Sequence, residues 1–161
     1  MTDVSHLCST IMGIEEDIKQ QQFRNPYQKG LINIIYTFNW LNERLRTILK
    51  REKITEQQFN ILRILRGAGK PISTLQIRRR MLDKASDTSR IVDRLILKQL
   101  VKKETCTNDK RLVDVSITQE GLSLLESLDQ YAQEMDALIG NLTTEEANTL
   151  NTLLDKIRKG K

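Results

Sequence analysis

The chain has 161 residues, a net charge of +5 and 39% hydrophobic residues, which suits one compact domain, or one domain with a dimerisation extension. Aromatics make up 4%, with 2 prolines and 7 glycines, so a turn-rich β sandwich is disfavoured and the composition reads as mostly helical. No stretch approaches the ~20 apolar residues that span a bilayer, Met1–Ile18 lacks the basic start and apolar run of an export signal, and one histidine with two distant cysteines makes no ordinary closed zinc site.

The expectation is therefore a cytoplasmic protein with free thiols, no metal, no cofactor and no membrane association. Charge is unevenly spread. Residues 70–118 carry 12 Lys and Arg against 6 Asp and Glu, and residues 1–69 carry 10 against 7. Residues 119–161 carry 4 against 8. A basic middle with an acidic tail points to a polyanion partner. A solvated surface with a chance bias is the competing reading.

Residues 3–20 place Val4, Leu7, Ile11, Ile14 and Ile18 at helical spacing. Gln20–Gln22 and Asn25-Pro26 break the pattern. A long helix follows, with Leu31, Ile34, Ile35, Phe38, Leu41, Leu45, Ile48 and Leu49 on one stripe. Thr55-Glu56-Gln57-Gln58 is a capping box. It opens a helix carrying Phe59, Leu62 and Leu65 that stops at Gly67-Ala68-Gly69. Pro71-Ile72 is extended. Ser73–Gln76 is a second capping box, opening a short helix to about Met81.

Asp83-Lys84-Ala85 links to Ser86 or Asp87 as the next N-cap. The helix that follows turns Ile91, Val92, Leu95 and Ile96 inward and ends near Gln99. The period then changes. Residues 101–106 read as a strand, 107–111 as a polar turn, and 112–117 as a strand alternating with period 2. Thr118 caps a helix with Leu122, Leu125, Leu128, Ala132, Met135 and Leu138 along one side. Asn141-Leu142 breaks it. Thr143-Thr144-Glu145-Glu146 is a third capping box, and the last helix carries Leu150, Leu153, Leu154 and Ile157.

Helix, short helix, turn, helix and two-stranded hairpin make a winged helix-turn-helix. The fold class is mainly α with a small β-hairpin wing and dimerisation helices at the N- and C-terminal ends. In such a fold the second helix of the motif enters the major groove and the first braces it. Ser86, Thr88, Ser89 and Arg90 front the recognition helix with short hydrogen-bonding groups and a guanidinium, suited to base edges and phosphates, although N-capping claims one of them. Arg94, one turn on, reaches phosphate or pairs near Asp93. Arg78, Arg79, Lys84 and Lys110 are candidate backbone contacts, and Lys102 and Lys103 read as a solvated strand edge.

The segment Asn108-Asp109-Lys110-Arg111-Leu112-Val113-Asp114-Val115-Ser116-Ile117-Thr118-Gln119-Glu120-Gly121 resembles the wing signature of the multiple-antibiotic-resistance regulator (MarR) family. That signature is Asp, a basic residue, Arg, an alternating strand, then Leu-Thr-x-x-Gly. Ser89-Arg90-Ile91-Val92-Asp93-Arg94-Leu95 is similar to the family's recognition helix, and Leu142–Glu146 to the start of its C-terminal dimerisation helix. The similarity runs from about residue 30 to the end. Two departures stand out. Gln99 sits where the family commonly has Gly, so the turn is of another kind or a left-handed residue costs up to about 1 kcal/mol. Arg78-Arg79-Arg80 replaces small or apolar residues, and one of the three is expected to bury its stem.

The resemblance implies a homodimeric double-stranded DNA-binding transcriptional regulator, a repressor rather than an enzyme, acting on a pseudo-palindromic operator. It implies that Arg111 enters the minor groove with Asp109 orienting it. It implies a small aromatic or phenolic effector, for which Tyr36, Trp40 and Phe59 are pocket candidates, although each reads more readily as core. Cys8 fits either an oxidant sensor of the kind some relatives carry or a small apolar residue on its stripe. The expected division is residues 1–28 as an N-terminal extension, 29–52 and 118–161 as the dimerisation region, and 53–117 as the DNA-binding domain. A protein-interaction or anti-activator module on a winged-helix scaffold without DNA binding is the alternative.

Overall fold

The computed structural model describes residues 13–105 and 113–159. Cys8, Cys106, Asp109, Lys110 and Arg111 lie outside them. The chain forms two compact units, Met1–Asn42 and Glu43–Lys161. In the first, α1 (Ile14–Asp17) is a single turn, so of the helix expected over 3–20 only this turn is helical among the described residues. Its exit passes through Lys19 at a left-handed φ of 54°. Glu15 pairs with Lys29. The long helix α2 (Pro26–Lys50) starts where the break was expected. Pro26 takes the first helical position, where no amide hydrogen is needed, and Asn25 Oδ1 accepts from Gln28 N at 2.9 Å.

The second unit holds the winged helix-turn-helix. Helix α3 (Glu56–Ala68) opens on the Thr55/Gln58 capping box and closes on Gly69 at φ 63°. Strand β1 (Ile72–Ser73) leads to α4 (Thr74–Arg80), opened by the Ser73/Gln76 box. Helix α5 (Thr88–Leu97) is capped by Asp87, whose Oδ1 accepts from Arg90 N at 3.1 Å. Strands β2 (Val101–Thr105) and β3 (Val113–Ile117) pair antiparallel, Val101 opposite Ile117. The expected two-stranded hairpin is a three-stranded sheet in the order β1-β3-β2, with Ile72 opposite Val115. Pairing over two residues leaves too short a run to show period 2 in sequence.

One core unites these elements. It includes Leu49 from the end of α2, Ile61, Leu62 and Leu65 from α3, Ile77 from α4, Val92 and Leu95 from α5, and Val101 and Val115 from the sheet. Leu125 and Leu128 of α6 (Gln119–Asp129) belong to the same core. The expected boundary at 117/118 therefore runs through shared packing. The single helix expected from 118 to 138 is interrupted. After α6 come α7 (Ala132–Asp136), a 3₁₀ turn (Ala137–Ile139), and α8 (Thr144–Arg158) on the third capping box. Different partners hold the two sides of the break. Arg66 forks onto Asp129 at 2.7 and 3.1 Å, and Arg51 onto Glu134 at 2.6 and 2.8 Å while lying 5.1 Å from the Tyr131 ring centroid. These guanidinium hydrogen bonds hold both carboxyl groups below their ordinary pKa.

The α5-to-β2 turn is left-handed. Gln99 has φ 61°, the costlier of the two expected geometries. A clasp from the start of α6 holds it. Thr118 Oγ1 donates to Gln99 O at 2.7 Å, Thr118 N donates to Leu100 O at 3.1 Å, and Gly121 N donates back to Thr118 Oγ1 at 3.1 Å. A Cβ on Gly121 would lie 2.3 Å from Leu100 O. The Thr-x-x-Gly part of the wing signature is thus a structural fastening.

Two substitutions test this turn in opposite directions. Gln99→Gly is expected to stabilise the fold by up to about 1 kcal/mol. Gly121→Ala is expected to destabilise it by about 1–3 kcal/mol, because backbone must move to admit a methyl. Urea unfolding of both variants beside the parent chain reads the two shifts; equal midpoints would contradict the geometry.

Candidate nucleic-acid interface

Helices α4 and α5 form the helix-turn-helix, and the period of 3.6 divides α5 into two faces. Thr88, Val92 and Leu95 are buried. Ser89, Arg90, Asp93, Arg94 and Leu97 are exposed and share the outer face. Ser89, Arg90 and Arg94 therefore stand where the sequence places them, on the side free to meet a groove. Thr88 does not. It is 4% exposed and turned inward, because it precedes Val92 by one helical turn. Its Oγ1 has no hydrogen-bond partner among the described residues. Thr88 is thus corrected from a base-edge candidate to a core position.

The turn before α5 is fixed by its own side chains. Asp83 accepts from Ala85 N at 3.0 Å and from Ser86 Oγ at 2.6 Å. These bonds hold its carboxyl below the ordinary pKa, the one from Ser86 most. Ser86 is thereby engaged in the turn, while Asp87 supplies the N-cap. Lys84 Nζ donates to Arg79 O at 2.6 Å, bracing the end of α4. A cleft of about 260 Å³ between the start of α3 and α5 is lined by Gln57, Ser86, Arg90 and Arg94, among others.

Cations divide into paired and unpaired sets. Arg78, Arg79 and Arg80 on α4 are all exposed, so none buries its stem as expected. Together with Arg90 and Arg94 they form no ion pair among the described residues. The lysines behave otherwise. Lys98 Nζ donates to Lys53 O at 2.6 Å and to Gln58 Oε1 at 3.3 Å, tying the end of α5 to the start of α3. Lys102 pairs with Glu104 at 2.9 Å, and Lys103 with Asp93 at 2.8 Å. The sequence alone reads Lys102 and Lys103 as a solvated edge and gives Asp93 and Lys98 no role of their own. The signal for Asp93 is its place four residues from Ser89 and one from Arg94. Its partner on β2 is set by tertiary contact and has no local signature.

Of the effector-pocket candidates, Tyr36 and Trp40 lie on α2, 37% and 38% exposed. Phe59 packs partly buried against the winged-domain core, with the Arg63 guanidinium 5.6 Å from its ring centroid.

Comparison with known proteins gives the geometry its context. The MarR family model matches residues 54–113. The multiple antibiotic resistance protein MarR of Salmonella typhimurium is 33% identical over 127 residues, spanning 77% of this chain and 88% of that protein. The crystal structure of a MarR mutant from E. coli complexed with operator DNA is similar with a TM-score of 0.72 at 30% identity, covering 77% of this chain and 89% of that one. A MarR transcription factor from Planctomyces limnophilus gives a TM-score of 0.63 at 28% identity, covering 83% and 98%.

The inward position of Thr88 makes a sharp expectation. Thr88→Val keeps the side-chain shape and removes a buried hydroxyl without a partner, so stability should hold or rise by about 1 kcal/mol. DNA affinity should not change. Thermal melting and a binding titration on the same variant read both; a loss of affinity at unchanged stability would return Thr88 to the interface.

Proposed function

Because the chain belongs to the MarR family of transcriptional regulators, we propose that it binds a pseudo-palindromic operator as a homodimer and represses the adjacent gene. The observation that carries this reading is the set of guanidiniums that form no ion pair among the described residues, Arg78, Arg79 and Arg80 on α4 and Arg90 and Arg94 on α5, beside the polar front of the recognition helix. A cation with no internal partner loses nothing but water on meeting a phosphate, and releases condensed counterions from the duplex. In this reading α5 lies in the major groove. Ser89 and Arg90 meet base edges, while Arg78, Arg79, Lys84 and Arg94 meet the backbone. Arg111 enters the minor groove at the wing, with Asp109 orienting it and Lys110 on phosphate.

The dimer is supported by apolar surface that a lone subunit leaves in water. On α2, Leu31, Ile35 and Phe38 are 59%, 52% and 61% exposed; on α8, Leu153 and Ile157 are 52% and 62% exposed. Stripes of this size on two long helices mark an association face. A second copy would cover them and set two recognition helices about 34 Å apart, one turn of duplex. Residues 29–52 and 118–161 supply that scaffold, and 53–117 the reading head. Release follows when a small aromatic effector changes the spacing of the two heads. The chemistry throughout is recognition, not catalysis.

Two measurements test this. In a salt titration against duplex DNA, log K should fall steeply with log salt, and Arg79→Ala plus Arg94→Ala should shrink the slope by about 1 for each phosphate left without its arginine. A salt-independent affinity would point instead to a protein partner. Separately, Phe38→Asp with Leu153→Asp should yield a folded monomer by sedimentation that no longer holds a two-half-site operator. A dimer that survives both charges would refute the assigned interface.

A further inference from the structure

The pairing of Asp93 with Lys103 is the feature that a DNA-binding role leaves unexplained. Asp93 sits mid-helix on the outer face of α5, with Ser89 one turn before it and Leu97 one turn after. Arg90 and Arg94 flank it. A carboxylate there works against duplex binding, since it faces a polyanion and cancels part of the local cationic charge. Its Oδ1 accepts from Lys103 Nζ at 2.8 Å, a cation delivered by β2 at the root of the wing. Both side chains are half exposed, at 59% and 50%, so nothing buries the pair and water or DNA can compete for either partner.

An ionised carboxylate only accepts hydrogen bonds. In the major groove the donors available to it are the exocyclic amines of cytosine and adenine; guanine and thymine present acceptors there. Phosphates offer it nothing. Every base pair carries one such amine, on its adenine or its cytosine, so Asp93 gains a partner only where the strand it faces presents that base and meets acceptors where it presents guanine or thymine. Lys103 has the opposite preference, since any phosphate suits it.

We propose that Asp93 is a specificity-determining residue that holds Lys103 off the backbone of unmatched DNA and exchanges it for an amine-bearing base at the operator. On an unmatched sequence the pair stays closed, one cation is withheld and the carboxylate repels the duplex. At a matched half-site the carboxylate accepts from a cytosine or adenine amine, and Lys103 is released to a phosphate. The ion pair thus weakens sequence-indifferent binding more than operator binding. This rests on the DNA-binding reading above.

The test compares Asp93→Asn, Asp93→Ala and Lys103→Met with the parent full-length chain. The probes are a mixed-sequence duplex and the fragments the parent protein retains from a randomised duplex pool. Melting temperatures establish that each variant folds. On the mixed-sequence duplex, Asp93→Asn and Asp93→Ala should bind more tightly than the parent, and the log–log salt slope should steepen by about 0.9, the contribution of one further neutralised phosphate. Lys103→Met should leave that slope unchanged, because Lys103 makes no phosphate contact there. The ratio of selected-fragment to mixed-sequence affinity should fall about tenfold in Asp93→Ala, the scale of a single base-pair preference. Selection with Asp93→Ala should relax the preference at one cytosine- or adenine-bearing position per half-site. Unchanged mixed-sequence slope and unchanged ratio in the Asp93 variants overturn the inference while leaving DNA binding intact. Failure of the parent chain to retain any duplex overturns both.

Discussion

The outer face of α5 depends on how firmly the turn from α5 to β2 is held. Gln99 occupies a left-handed backbone conformation that glycine adopts more easily. The chain tolerates it because the clasp from Thr118 overdetermines the turn. Gln99 O and Leu100 O both accept hydrogen bonds from one residue, and the same Thr118 hydroxyl caps α6. Leu100 N also donates back to Leu95 O at 3.0 Å. Strain at one φ is offset by bonds that a looser turn would leave unmade. Without this fastening, the recognition helix and the wing would be two pieces joined by a flexible link.

The recognition helix is anchored at both ends. Asp87 caps its start, in a turn that Asp83 and Ser86 already fix. Lys98 ends it, reaching back across to the carbonyl of Lys53 and the buried Gln58. Between these anchors Val92 and Leu95 sit in the core. What stays free is one polar face whose position is settled before any duplex arrives. Preorganisation of this kind spares binding the entropy of ordering a loop. Near the site, Lys98, Lys102 and Lys103 are engaged internally, while the guanidiniums on α4 and α5 form no ion pair among the described residues. A planar guanidinium fork matches phosphate and guanine better than the point charge of an ammonium does.

Local chemistry is legible in the sequence and tertiary chemistry is not. The three capping boxes at Thr55, Ser73 and Thr143 form as their residues dictate, since each is complete within four residues. The wing strand β3 is legible from its alternation. The inward turn of Thr88 is within reach too: the spacing that sends Val92 and Leu95 to the core also buries a residue four before Val92. The third strand is not, because Ile72 and Ser73 become a strand only by pairing with β3. Nor is the interruption after Asp129, where the apolar stripe continues and the break is held by arginines more than 60 residues away in sequence. Net charge has the same limit. The basic excess over residues 70–118 already subtracts Glu104 and Asp93, but it does not say that Lys102 and Lys103 are the cations they pair with, which tertiary contact decides.

The shared core has a mechanical consequence for regulation. Leu125 and Leu128 of α6 and Leu49 of α2 pack with the residues that support α5. Arg51 and Arg66 then fork onto carboxylates at and beyond the end of α6. The helices assigned to the dimer and the helices assigned to DNA are therefore continuous in packing and in hydrogen bonding. Close-packed interiors transmit displacement instead of absorbing it. A shift of α6 pulls on Thr118, and Thr118 is bonded to the turn that ends the recognition helix. In the proposed dimer, a ligand that alters the helix scaffold has no need of a separate signal path. It acts on the spacing of the two reading heads through the same contacts that hold each head together.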